Sequence, residues 1–228
     1  MEDIKRMLCL ANSYKPPAGR CIAGREITGN GLGAWIRPVS ARETREISVS
    51  ECLYATRHIP ELLDVIEFPI LRHDPRGHQV ENYVIAAGRW KKVGAMQFDD
   101  LECYLDKPET LWPNTERSSS GFYDRVDPTD LAGDEGSLML IKPDVLNVEI
   151  SFNPFKNTNN IRAGLTYNGD YYNFSITDPK LRDTFRGRSQ GEYPIEDALL
   201  CVSLTEPYER DQKCYKLVAA VISPTPIA

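Results

Sequence analysis

Residues 161–177 constrain the chain most tightly. Ile161 to Asn168 and Tyr171 to Thr177 are two strand-forming runs, and Asn168-Gly169-Asp170 between them signals an antiparallel hairpin. In the second run Tyr172, Phe174 and Ile176 share one face, and Tyr171, Asn173, Ser175 and Thr177 share the other. Thr177-Asp178-Pro179 then reads as a helix start, with a capping side chain and proline in the first turn. The helix is expected to end near Phe185.

Strands flank this unit. Ser137 to Phe152 is β-rich, with a bend or bulge expected at Pro143-Asp144. Asp197 to Leu204 and Cys214 to Ile222 are two further strands. Three strands, a helix and two strands is the element order of the OB-fold, a five-stranded Greek-key barrel. The first half repeats the order. Lys5 to Ala11, Arg20 to Ile27 and Ala34 to Val39 read as strands, Ala41 to Ile59 as a partly helical segment, and Leu62 to Leu71 and Gln79 to Ala87 as strands. Phe98 to Leu105 reads as a short helix. The expected class is mainly β with short helices, as two tandem OB-like five-stranded Greek-key barrels. A length of 228 residues suits one large domain or two small ones at about 150 residues per domain.

The net charge of −6 hides an asymmetry. Residues 1–50 carry eight bases and five acids, whereas residues 91–140 carry five bases and eleven acids. That acidic middle also holds Pro108, Pro113, Ser118-Ser119-Ser120-Gly121, Pro128 and Gly133, and reads as a connector. The expected boundary lies near Ala132: residues 1–131 form the first barrel with the connector at its end, and residues 132–228 the second. A solvated linker is one reading of the connector. A mimic of nucleic acid, or an acidic cover over a basic groove, is the other.

No run of about 18 apolar residues is present, and Met1 to Ser13 is too short and wrongly flanked for a signal peptide. The six cysteines form no C-x-x-C pair and, with three histidines, assemble no structural zinc spacing. Reduced thiols in a cytoplasmic protein, without metal or other cofactor, are expected. Gly29-x-Gly31-x-Gly33 lacks the G-x-x-x-x-G-K-[ST] pattern and reads as a strand connection.

Six strings are familiar as an ordered set: Leu8-Cys9-Leu10-Ala11-Asn12-Ser13, Gly19-Arg20-Cys21-Ile22-Ala23-Gly24, Trp35-Ile36-Arg37-Pro38-Val39-Ser40, Thr177-Asp178-Pro179, Cys201-Val202-Ser203-Leu204-Thr205-Glu206-Pro207 and Tyr215-Lys216-Leu217-Val218-Ala219-Ala220. Together the chain resembles the prokaryotic dual OB-fold domain family, nearly end to end. Thr205 stands where that pattern has glycine. The resemblance implies two tandem barrels and nucleic-acid binding, as an accessory or sensor in a prokaryotic defence or genome-conflict system, with no established catalytic residue.

Single strands are bound by cationic grooves with aromatic platforms. The candidates are Lys15, Arg20, Trp35, Arg37 and Arg42 in the first half, with Arg25 beside them, and Lys156, Arg162, Tyr171 and Asn173 in the second. Alternation puts Trp35 and Arg37 on one strand face; they either stack and grip a nucleotide or plug the barrel and close its mouth. Arg162, Tyr171 and Asn173 are expected to share an outer barrel face. Lys156 and Asn157 lie in the loop joining the first two strands of the second barrel, a usual ligand loop in this fold. Lys180, Arg182, Arg186 and Arg188 read as a solvated face or a phosphate track. Three functions stay open: binding of single-stranded DNA or RNA, a protein-interaction adaptor favoured by the net acidity, and an enzyme using Asp178 and Glu206. In the bland account these two carboxylates cap a helix and begin a turn.

Overall fold

The computed structural model describes residues 3–154 and 157–227. The chain folds as two compact units. The first runs to Tyr104 and takes in Gly133–Ser137; the second comprises Leu105–Ala132 and the chain from Leu138 onward.

The first unit contains β1 (Asp3–Lys15), β2 (Gly19–Thr28), β3 (Gly31–Val39), β4 (Asp64–His73), β5 (Asn82–Ile85) and β6 (Lys91–Ala95). The order β1-β2-β3-β5-β4 closes on itself, because β4 also pairs with β1. The β3–β5 pairing is parallel and the other pairings are antiparallel. That is the closed OB topology. Bulges at Cys9/Ala11, Arg25/Ile27 and Ile70/Arg72 bend the strands into a barrel. The interior holds Met7, Cys9, Ile22, Ile36, Ile66 and Phe68, the last stacked on Trp90 at 4.8 Å. The expected partial helix between β3 and β4 is absent. Residues 40–63 run as turns, with Arg45, Arg57 and Leu63 at positive φ, and Ile47, Cys52 and Tyr54 plug the barrel where a helix would.

The second unit contains β7 (Arg125–Val126), β8 (Leu138–Ile141), β9 (Val145–Asn153), β10 (Thr158–Tyr167), β11 (Asp170–Ile176), helix α1 (Pro179–Phe185), β12 (Gly191–Pro194), β13 (Leu199–Leu204) and β14 (Cys214–Ile222). β8 and β9 are one OB strand broken at Pro143, as the sequence predicts. The first piece pairs with β13 and the second with β10, which closes the barrel. β11 and β14 pair in parallel. Asn168 and Gly169 both take positive φ at the β10–β11 turn. Leu181 and Phe185 of α1 enter the core. In the β13–β14 turn the Thr205 hydroxyl accepts from the Tyr215 amide at 2.8 Å.

The acidic middle lies elsewhere than the sequence suggests. Leu111, Trp112 and Val126 are buried in the second core, so residues 105–132 pack with the second barrel rather than trailing from the first. The short strands β6, β7 and β12 had no sequence signal, since each is an edge addition held by its neighbour's backbone. None of the six cysteines forms a disulfide, and four of them are buried.

Gly24 shows how tightly the first barrel is wound. A Cβ there would lie 1.7 Å from the Leu8 carbonyl oxygen, whereas one at Gly29 would meet nothing within 4 Å. Gly24→Ala is expected to lower stability by about 2 kcal/mol or more, measured by urea denaturation. Gly29→Ala should stay within about 0.5 kcal/mol of the parent.

Candidate functional site

In an OB barrel the second and third strands and the loops after the first and fourth strands form the ligand face. In the first barrel those loops, and the segment after β3, carry cations among acids. Lys15 and Arg20 flank the β1–β2 turn, Arg42 and Arg45 follow β3, and Arg72 and Arg76 flank the start of the β4–β5 connection. Backbone bonds between Arg20 and Ile47, and the Arg45–Asp74 ion pair, tie these three segments together. Asp74 carries three guanidinium groups: Arg45, 5% exposed, and the exposed Arg72 and Arg76, each with Nε at 3.6 Å. A hydrogen bond from Arg45, then the three positive charges, holds the Asp74 carboxyl below the usual carboxylate range. One carboxylate thus organises three cations and leaves an excess of positive charge. Arg42 is partly exposed and bonds Glu51 at 2.8 Å. A hydrogen bond from Thr44, with the charges of Arg42 and Lys15, keeps Glu46 ionised. Half-buried Trp35 sits beside β2 with the Arg25 guanidinium 4.9 Å from its ring.

Arg37 does not join this surface. It is 3% exposed, paired with Glu81 at 3.0 Å and donating to Ser137 at 2.7 Å. The sequence does not show what lies over its strand.

The second barrel brings Arg162, Tyr171 and Asn173 onto one face of β10 and β11, as alternation predicts, but buries Arg162 and Asn173 and leaves Tyr171 exposed. Arg162 is 9% exposed; it pairs with Asp124 at 2.9 Å and donates to the Ser175 hydroxyl at 2.7 Å and to Asn173. Asn173 and Tyr171 both donate to Glu149, at 2.6 and 2.8 Å. The cover is the acidic middle. Phe122 exchanges backbone hydrogen bonds with Asn173, β7 pairs with β14, and Glu116 and Asp127 both hold Lys213. The charge asymmetry of the sequence was the one available signal for this. Lys156 lies outside the described residues; Asn157, in the same loop, is exposed.

A family model described as a dual OB-containing domain matches residues 5–221. The chain belongs to that family. No curated protein and no solved structure matches it. Membership in the dual OB family agrees with both barrels closing through the same pairings, and an OB-fold of this kind is a binding module for nucleic acid or protein. No described helix is long and apolar enough to cross a membrane.

Asp178 is occupied as a cap in this dual OB chain. Its two carboxylate oxygens accept from the Leu181 and Val221 amides, both at 3.2 Å, and burial pushes its carboxyl up. Glu206 lies in the turn after β13. The basic cluster around α1 is also engaged: Arg182 bonds the Ile176 carbonyl, Arg186 pairs with Asp183, and Arg188 stacks on Phe185 and Tyr193.

Sequence reasoning missed Lys216. It is 1% exposed, its Nζ donating to the Pro113 carbonyl at 3.0 Å and to Asn114 at 3.1 Å, above the Tyr172 ring. Burial pulls its ammonium down to about 7, against the opposing charges of Asp124 and Asp170. The unfolded chain keeps that proton to about 10.5, so between about 7 and 10.5 it binds more protons than the folded chain. Stability conferred at this position therefore rises with pH across that window. Unfolding free energies of the parent and of Lys216→Met, from urea denaturation at pH 7 and pH 9.5, should diverge by up to about 3 kcal/mol in favour of the parent as pH rises. Parallel pH profiles would contradict the assignment.

Proposed function

We propose that this chain is a nucleic-acid-binding module that takes a single strand of DNA or RNA on its first barrel, through Lys15, Arg20, Arg42, Arg72 and Arg76 with Trp35 as the aromatic platform. The observation that carries the reading is the set of three arginines on Asp74. Two of them are exposed, and a guanidinium offers more donors than one shared carboxylate can accept. Phosphate oxygens are natural acceptors for such donors. The turn that presents them is stiff: Arg76 and Gln79 exchange backbone bonds at 3.1 and 2.9 Å around Gly77, which takes a φ of 51°. The overall charge of −6 does not oppose this, because screening beyond about 8 Å leaves local charge in control.

Binding of a fluorescent 15-nucleotide strand is expected to weaken steeply between about 50 and 200 mM salt. Arg72→Ala with Arg76→Ala should weaken it about 10-fold or more and reduce the salt slope by up to about 2, while the urea midpoint holds. Absence of binding to DNA and RNA strands alike, or binding indifferent to these two arginines, would refute the reading.

A further inference from the structure

The second barrel carries its own strand-binding equipment, and the chain lies across it. Two cations face the segment that follows Trp112: Arg162 meets Asp124, and Lys213 meets Glu116 and Asp127. An aromatic ring faces it as well: Phe122 lies 5.8 Å from the exposed Tyr171, centroid to centroid. Carboxylates thus sit on the cations where phosphates would, and a ring sits on the tyrosine where a base would.

The segment is built to seat at this place. Trp112 and Val126, 3% and 0% exposed, anchor its ends, and the polar run Ser118-Ser119-Ser120-Gly121 lies between them. Ser118 donates twice to Asp124 and turns its carboxylate toward Arg162. Gly121 leaves the space this needs: a Cβ there would lie 1.9 Å from the Asp124 carboxylate and 2.3 Å from Arg162 Nη2.

We infer that the β10–β11 face of the second barrel is a second binding site for single-stranded nucleic acid, occupied in this structure by residues 113–125 acting as an internal surrogate of the ligand. The ligand class rests on the reading of the first barrel. The covered site itself rests on the contacts above.

The test uses the full chain with Arg72→Ala and Arg76→Ala, which silences the first barrel. Two second changes are added separately. Gly121→Val wedges the segment off by bulk, and Glu116→Gln with Asp127→Asn loosens it by charge. Hydrogen exchange at the Phe122 and Asn173 amides reports opening, and anisotropy of a labelled oligothymidylate 15-mer reports binding. The expected result is faster exchange at both amides and at least about 10-fold tighter binding than the silenced chain shows. Faster exchange without that gain overturns the inference. Unchanged exchange in both variants also overturns it, as does a gain for polyglutamate but not for the oligonucleotide. Failure of the first-barrel reading looks different: parental binding is then indifferent to Arg72 and Arg76, whatever the segment does.

Discussion

Barrel closure depends in each unit on one early strand that finds two partners. In the first unit β1 is long enough to pair with β2 along one edge and with β4 along the other. In the second, Pro143 divides the same work between β8 and β9. Without those double pairings each sheet would keep an open edge, and the apolar interior would lose its wall. The parallel step from the third strand to the last also recurs, at β3–β5 and β11–β14. It sends the final strand across the barrel and leaves the second and third strands facing outward, which is where the fold binds ligands.

The two barrels share that geometry and treat it differently. The first keeps Arg72 and Arg76 exposed on its loops, with Asp74 holding them beside the buried Arg45. The second has its cations satisfied from within the chain, by Asp124, Glu116 and Asp127. Net charge is therefore a poor guide to what this protein binds. The acids concentrated in residues 91–140 are partly spent on internal pairs, and the positive charge left over is local. Breaking the buried Arg162–Asp124 pair by removing one partner would strand a charge, which explains why the covering segment is held by more than one kind of contact.

Local signals were legible in the sequence. Asn168-Gly169 makes its turn, Asp178 caps α1 before Pro179, and Pro143 bends its strand, because each depends only on neighbouring backbone. Alternation also put Arg162, Tyr171 and Asn173 together on one face. What alternation cannot supply is the identity of whatever lies above that face. Arg37 meets Ser137 from 100 residues away, and Arg162 meets Asp124 across 38. Both were candidates for solvent-facing cations, and both are buried by partners that only tertiary folding brings near. Lys216 is different: it shares the buried face of its strand with Cys214 and Val218, and its partners at residues 113–114 come from 103 and 102 residues away.

The division of labour proposed for the barrels is tested most directly by a hydrogen-exchange footprint of the unaltered chain, with and without a saturating single-stranded oligonucleotide. Protection should appear around residues 15–20, 35–42 and 72–79, with no change along 160–175. Protection along 160–175 with none on the first barrel, or no footprint at all, would contradict it.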